Sequence, residues 1–122
     1  MSAFRYLVSD VERAKAFYVD LLGFQLVRQW GPAFAEVALD GVTIWLSGPQ
    51  TSAARPMPDG VRPTPGGWNR VVLVVLDLEA RVAKLKAAGV AFRNTIISGP
   101  GGSQILAEDG VGNLVELFEP KE

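Results

Sequence analysis

Apolar residues recur along the chain first at alternate positions, then at helical spacing, then at alternate positions again, and this succession occurs twice. Ala3 to Val8 is an apolar run broken by Arg5 and predicts a strand. Val11, Ala14, Phe17, Tyr18, Leu21 and Leu22 follow at three- and four-residue spacing and form one apolar helical face. Ser9 with Glu12 makes a capping-box pattern, Asp10 is the alternative N-cap, and Gly23 is placed to end the helix. Three strands are expected next, at Phe24 to Trp30, Phe34 to Leu39 and Val42 to Ser47. Asp40-Gly41 between the last two is a two-residue hairpin signal.

The second half repeats the order. Trp68 to Leu76 predicts a Val-rich strand, Asp77 an N-cap, and Leu78, Val82, Leu85 and Ala88 a helical face ended by Gly89. Strands are expected at Val90 to Ile97, Ser103 to Glu108 and Leu114 to Phe118, with turns at Gly99 to Gly102 and Asp109 to Asn113. The halves also align residue by residue. Val8-Ser9-Asp10-Val11-Glu12 falls on Val75-Leu76-Asp77-Leu78-Glu79, Leu21-Leu22-Gly23 on Ala87-Ala88-Gly89, and Ile44-Trp45-Leu46 on Val115-Glu116-Leu117. The expected fold is α+β: one domain over residues 1–122, made of two tandem βαβββ modules that form a curved mixed-sheet cup with helices on its outer face. The modules span 1–47 and 68–120. Gly48 to Gly67 joins them with five prolines and four glycines, and reads either as a crossover or as a partial lid carrying Met57.

Composition narrows the chemistry. With 48% hydrophobic and 20% charged residues the chain is globular, and a net charge of -1 without basic runs argues against nucleic acid. Cysteine and histidine are both absent, which removes thiolate chemistry, the usual near-neutral base and the commonest metal ligand. The longest apolar run, Val71 to Leu76, is too short to span a bilayer, and no leader pattern precedes the first strand, so a cytoplasmic protein without a membrane partner is expected. Gly99-Pro100-Gly101-Gly102 is turn chemistry, because no Lys-Ser/Thr follows it and a strand comes next.

The order strand, Ser9-Asp10-Val11-Glu12-Arg13-Ala14, Phe17-Tyr18, Leu21-Leu22-Gly23-Phe24 resembles the first module of the vicinal oxygen chelate superfamily, which contains glyoxalase I, extradiol dioxygenases and bleomycin-type resistance proteins. Glu108-Asp109-Gly110-Val111-Gly112-Asn113-Leu114-Val115-Glu116-Leu117 is similar to that superfamily's final hairpin. In metal-dependent members the resemblance implies one ligand on each of four inner strands, and the matching positions here are Ala3, Trp45, Arg70 and Glu116. Glu116 has the chemistry of a ligand; Ala, Trp and Arg lack it. The expectation is therefore no metal and no cofactor, with Arg70 and Glu116 either paired in the cation's place or pointing separately to solvent. Short members of this kind commonly form homodimers, and a homodimer is expected.

Strand alternation assigns Arg5, Leu7, Thr43, Trp45, Ser47, Arg70, Val72, Val74, Leu114, Glu116 and Phe118 to the cup, and Phe4, Tyr6, Val8, Ile44 and Leu46 to the helix side. Candidate ligand-binding residues are Arg5, Thr43, Trp45, Trp68, Asn69, Arg70 and Glu116, with Arg93-Asn94 and Ser103-Gln104 as weaker rim candidates. Trp45 either stacks on a planar ligand or fills the cup floor. Glu36, Glu108 and Glu116 could do acid–base work, and Glu116 is the candidate catalytic base. Three functions remain open: metal-independent binding of a small planar or aromatic molecule, a lyase or isomerase that uses Glu116, and, last because three of its four ligands are missing, a glyoxalase-like metalloenzyme.

Overall fold

In the computed structural model, which describes residues 1–121, the chain divides into two compact units, Met1–Gly66 and the remainder from Gly67. The first unit runs β1 (Phe4–Leu7), α1 (Val11–Lys15, continued as a π-helical turn over Ala16–Leu21), β2 (Gln25–Trp30), β3 (Phe34–Leu39) and β4 (Val42–Ser47). The second runs β5 (Val71–Val74), α2 (Leu78–Ala87), β6 (Ile97–Ser98), β7 (Gly102–Glu108) and β8 (Leu114–Pro120). Each is an α+β unit of βαβββ order.

The sheets have the same topology, β1-β4-β3-β2 and β5-β8-β7-β6. In each the first strand lies parallel to the fourth and the remaining pairs are antiparallel. A parallel pair needs a crossover, and the helix after the first strand begins it. The registers correspond rung by rung. Phe4 lies opposite Ile44 as Val71 does Val115, and Tyr6 opposite Leu46 as Leu73 does Leu117. Both parallel ladders end on one further bond, Val8 N–H to the Ser47 carbonyl and Val75 N–H to the Phe118 carbonyl, each 2.9 Å.

Both helices begin on an aspartate. Asp10 accepts from Arg13 N–H and Asp77 from Ala80 N–H, each at 3.1 Å, so Asp10 and not Ser9 is the first cap. Glu119 adds a second acceptor at the start of α2, taking the Leu78 N–H at 2.9 Å. The first helix departs from the expected regular spacing: its bonding widens until Leu22 N–H reaches the Phe17 carbonyl at 3.1 Å. Leu21, expected on the inner face, is consequently only half-buried, whereas Val11, Ala14, Phe17, Tyr18 and Leu22 are buried.

Tyr18 packs edge-on against Phe17 and Phe24, at 5.0 and 5.7 Å between centroids, and Ile44 and Leu46 are fully buried in the same unit. In the second unit Leu78, Val82 and Leu85 of α2 are buried, as are Val71, Leu73, Val115 and Leu117 of the sheet, while Ala88, expected on the helical face, is exposed. Full burial of each larger side chain contributes about 1.5–3 kcal/mol. Phe4, expected under the helix, lies 40% exposed at the strand end, its ring edge-on to Tyr6.

Two expected strands are shorter. Trp68, Asn69 and Arg70 precede β5, and Val90 to Ile97 forms a single bridge, Phe92 to Ala107, before β6. The Asp40-Gly41 turn has positive φ at both residues (48° and 82°), the two-residue hairpin its sequence implies. No helix among the described residues is long and apolar enough to cross a membrane.

Candidate functional site

The face of the first sheet opposite α1 carries a continuous row of aromatic and guanidinium groups. Trp45 on β4 packs edge-on against Phe34 of β3 at 6.0 Å, and Phe34 packs against Trp30 of β2 at 5.3 Å. The row is closed at each end by an arginine, Arg5 at 5.1 Å from the Trp45 ring centre and Arg28 at 5.0 Å from that of Trp30. Arg5 Nη1 also donates to Ser47 Oγ at 2.9 Å. Arg28 Nε lies 2.5 Å from Oε1 of Glu36, whose side chain is 5% exposed. Arg5, Arg28, Trp30, Phe34 and Trp45 border an open cleft of about 430 Å³, to which Ala33, Thr51 and Ser52 also contribute.

The register explains the assembly. The tight Asp40-Gly41 turn sets Leu39 opposite Val42, so Glu36 falls opposite Trp45 and Phe34 opposite Ser47. A bulge between Leu26 and Arg28 then shifts β2 so that Arg28 stands opposite Glu36 and Trp30 opposite Phe34. Phe34 and Glu36 were therefore within reach of the hairpin signal and the alternation. Arg28 and Trp30 were not, because an unmarked bulge breaks the period. Thr51 and Ser52 come from the start of the proline-rich segment, at its short 3₁₀ turn Ser52–Ala54. Met57, in the same segment, forms a local turn: its N–H donates to the Val61 carbonyl and its carbonyl accepts from Gly60 N–H, each at 2.8 Å.

In the second unit the expected charge pair is made. Arg70 donates from Nε at 3.0 Å and from Nη2 at 2.8 Å, both to Oε1 of Glu116, and its Nη1 donates to the Trp68 carbonyl at 3.0 Å. Glu116 is buried and its Oε2 takes no hydrogen bond from a described residue. Arg93 lies 5.4 Å over the Trp68 ring, and with Gly67, Glu108 and Leu114 these two residues line a second cleft of about 280 Å³. Asn94 turns inward to accept from Leu106 N–H, and Ser103 shares a hydrogen bond with Ser98, so neither is a free rim group. Thr43 shares the face of Trp45 but lies outside the first cleft, and Asn69 is exposed outside the second.

The profile of the Glyoxalase/Bleomycin resistance protein/Dioxygenase superfamily matches residues 1–117. The chain belongs to this superfamily. A superfamily member from Sphaerobacter thermophilus is 28% identical, with a TM-score of 0.73 over 98% of this chain and 97% of that one. An antibiotic binding protein from Streptomyces sp. CB03234 is 27% identical, with a TM-score of 0.70 over 99% and 97%. A lactoylglutathione lyase from Agrobacterium tumefaciens shares the fold at 19% identity, TM-score 0.75, over 98% and 92%. A search of curated proteins found no match.

The side chains at the four positions that the resemblance implies as metal ligands, Ala3, Trp45, Arg70 and Glu116, do not fit a metal. Ala3 and Trp45 have no lone-pair donor for a cation, and the Arg70 guanidinium is itself bonded to Glu116, the one carboxylate of the four positions. Among the described residues no three His, Cys, Asp or Glu side chains converge on a point that could hold an ion.

Proposed function

We propose that this superfamily member binds a small, planar aromatic molecule in the cleft of its first unit without a metal. The observation that carries the reading is the row Trp45, Phe34 and Trp30, flanked by two guanidiniums at the edge of a 430 Å³ cleft. Such a surface stacks flat rings and offers polar groups that orient them. The 27% identical antibiotic binding protein supports a binding role for the scaffold. Arg5 and Trp45 act in this site; Trp68 and Arg70 belong to the second unit's cleft and its support.

Quenching of tryptophan fluorescence by a panel of naphthalene and quinone ligands tests the reading. Saturable quenching is expected, weakened about tenfold in Trp45→Ala and unchanged after exhaustive chelation. No saturable quenching by any member of the panel would sink aromatic binding, and stoichiometric metal in the purified protein would sink metal independence.

A second reading is favoured by Glu116, a buried carboxylate with one oxygen that takes no hydrogen bond from a described residue. In that reading Glu116 is the base of a lyase or isomerase, with an arginine stabilising the developing oxyanion. Turnover of a bound ligand that Glu116→Gln abolishes would establish it; binding without turnover in the native protein would remove it.

A further inference from the structure

The first cleft carries a surplus of positive charge that stacking by itself does not require. Arg28 is matched by the buried Glu36 carboxylate. Arg5 is not: it contacts the neutral Ser47 hydroxyl and the face of Trp45, and among the described residues it enters no ion pair. The indole Nε1–H of Trp45 is likewise a buried donor with no acceptor among the described residues. The second cleft has no such surplus, since Arg70 is held by Glu116 and the Glu108 carboxylate borders the same space as Arg93.

A ring settling on Trp45 would cover part of Arg5, because the guanidinium already lies over that indole. Stripping water from an unmatched charge is costly, and a neutral ligand offers nothing in return. An anionic substituent at the ring edge replaces that water with a charge-assisted bond. A cationic ligand meets repulsion as well as desolvation. We infer that the first cleft selects planar aromatic monoanions, such as aryl carboxylates and acidic phenols, and that Arg5 reads their charge. The inference rests on aromatic binding at this cleft and narrows its ligand class.

Three probes of one shape test it: 2-naphthoate, 2-naphthamide and 2-naphthylmethylammonium, titrated by calorimetry at low and high salt. The acid is expected to bind about tenfold more tightly than the amide, and the ammonium more weakly than either. Added salt should weaken the acid and leave the amide unchanged. Arg5→Gln is expected to bring acid and amide to near-equal affinity, while Arg5→Lys keeps much of the preference. Equal binding of acid and amide by the native protein overturns the charge inference yet leaves aromatic binding standing. Binding of none of the three removes aromatic binding itself. A preference for the acid that survives intact in Arg5→Gln overturns the role of Arg5. Should Arg5→Gln fail to fold, the salt dependence of the native protein decides: an acid preference that salt does not touch overturns the inference.

Discussion

Arg70 and Glu116 show how a residue's role depends on what stands beside it. The two are 46 positions apart in the chain, yet both guanidinium bonds converge on one carboxylate oxygen. Removing one partner leaves the other's charge poorly matched in a mostly dry place. Arg70→Met is therefore expected to destabilise the fold by about 2 kcal/mol, less than the ~3–5 kcal/mol of a fully buried broken pair because the Arg70 side chain is 25% exposed. The double variant Arg70→Met/Glu116→Leu should recover much of that loss, since it removes the stranded charge as well. Urea midpoints of the native, single and double variants measure both effects. A double variant no more stable than the single would show that the pair was not the source of the loss.

Single positions govern the elements in a different way, through the space the backbone leaves. Gly102 opens β7 at φ +152°, and a Cβ there would stand 2.2 Å from the Glu119 carbonyl oxygen and 2.9 Å from Pro120 Cα on β8. Both neighbours are backbone and cannot swing away. Gly102→Ala is expected to lower stability by roughly 2–4 kcal/mol, by separating the ends of β7 and β8. Thermal unfolding reads the change, and an unaltered midpoint would refute the close approach. The bulge in β2 acts at the same scale. By adding a residue between Leu26 and Arg28 it turns Arg28 and Trp30 onto the face where Glu36 and Phe34 wait.

At the scale of the whole molecule, each unit buries one sheet face beneath its helix and leaves part of the other uncovered. On the second unit Val72 and Val74 of β5 and Leu76 beyond it are 45%, 68% and 94% exposed. A row of apolar side chains left in water is a common mark of association, and we propose that a second copy of the chain covers it in a homodimer. Sedimentation velocity is expected to show a dimer that Val74→Lys converts to monomer, with circular dichroism of the variant unchanged. A native protein that sediments as a monomer at high concentration would end that proposal.

The succession of strand and helix periods, the Asp77 cap, the hairpin at Asp40-Gly41 and the correspondence of Trp45 with Glu116 were legible in the sequence, whereas the first cap was open between Ser9 and Asp10. They depend on local rules: backbone periods, capping oxygens and turn torsions act over a few residues and repeat in both halves. The want of ligands at Ala3, Trp45 and Arg70 was legible for the same reason, since a side chain without a donor has none in any fold. Tertiary structure decided the rest. The β2 bulge, the π-helical turn, the shrinking of the Val90 to Ile97 strand and the arrival of Thr51 and Ser52 at the cleft follow from packing against distant neighbours. So does the difference between the arginines. Arg28 and Arg70 each found a buried carboxylate across the sheet, and Arg5 found an indole and a hydroxyl. Composition records only the near-neutral total; where a charge stays unmatched is set by which strands lie side by side.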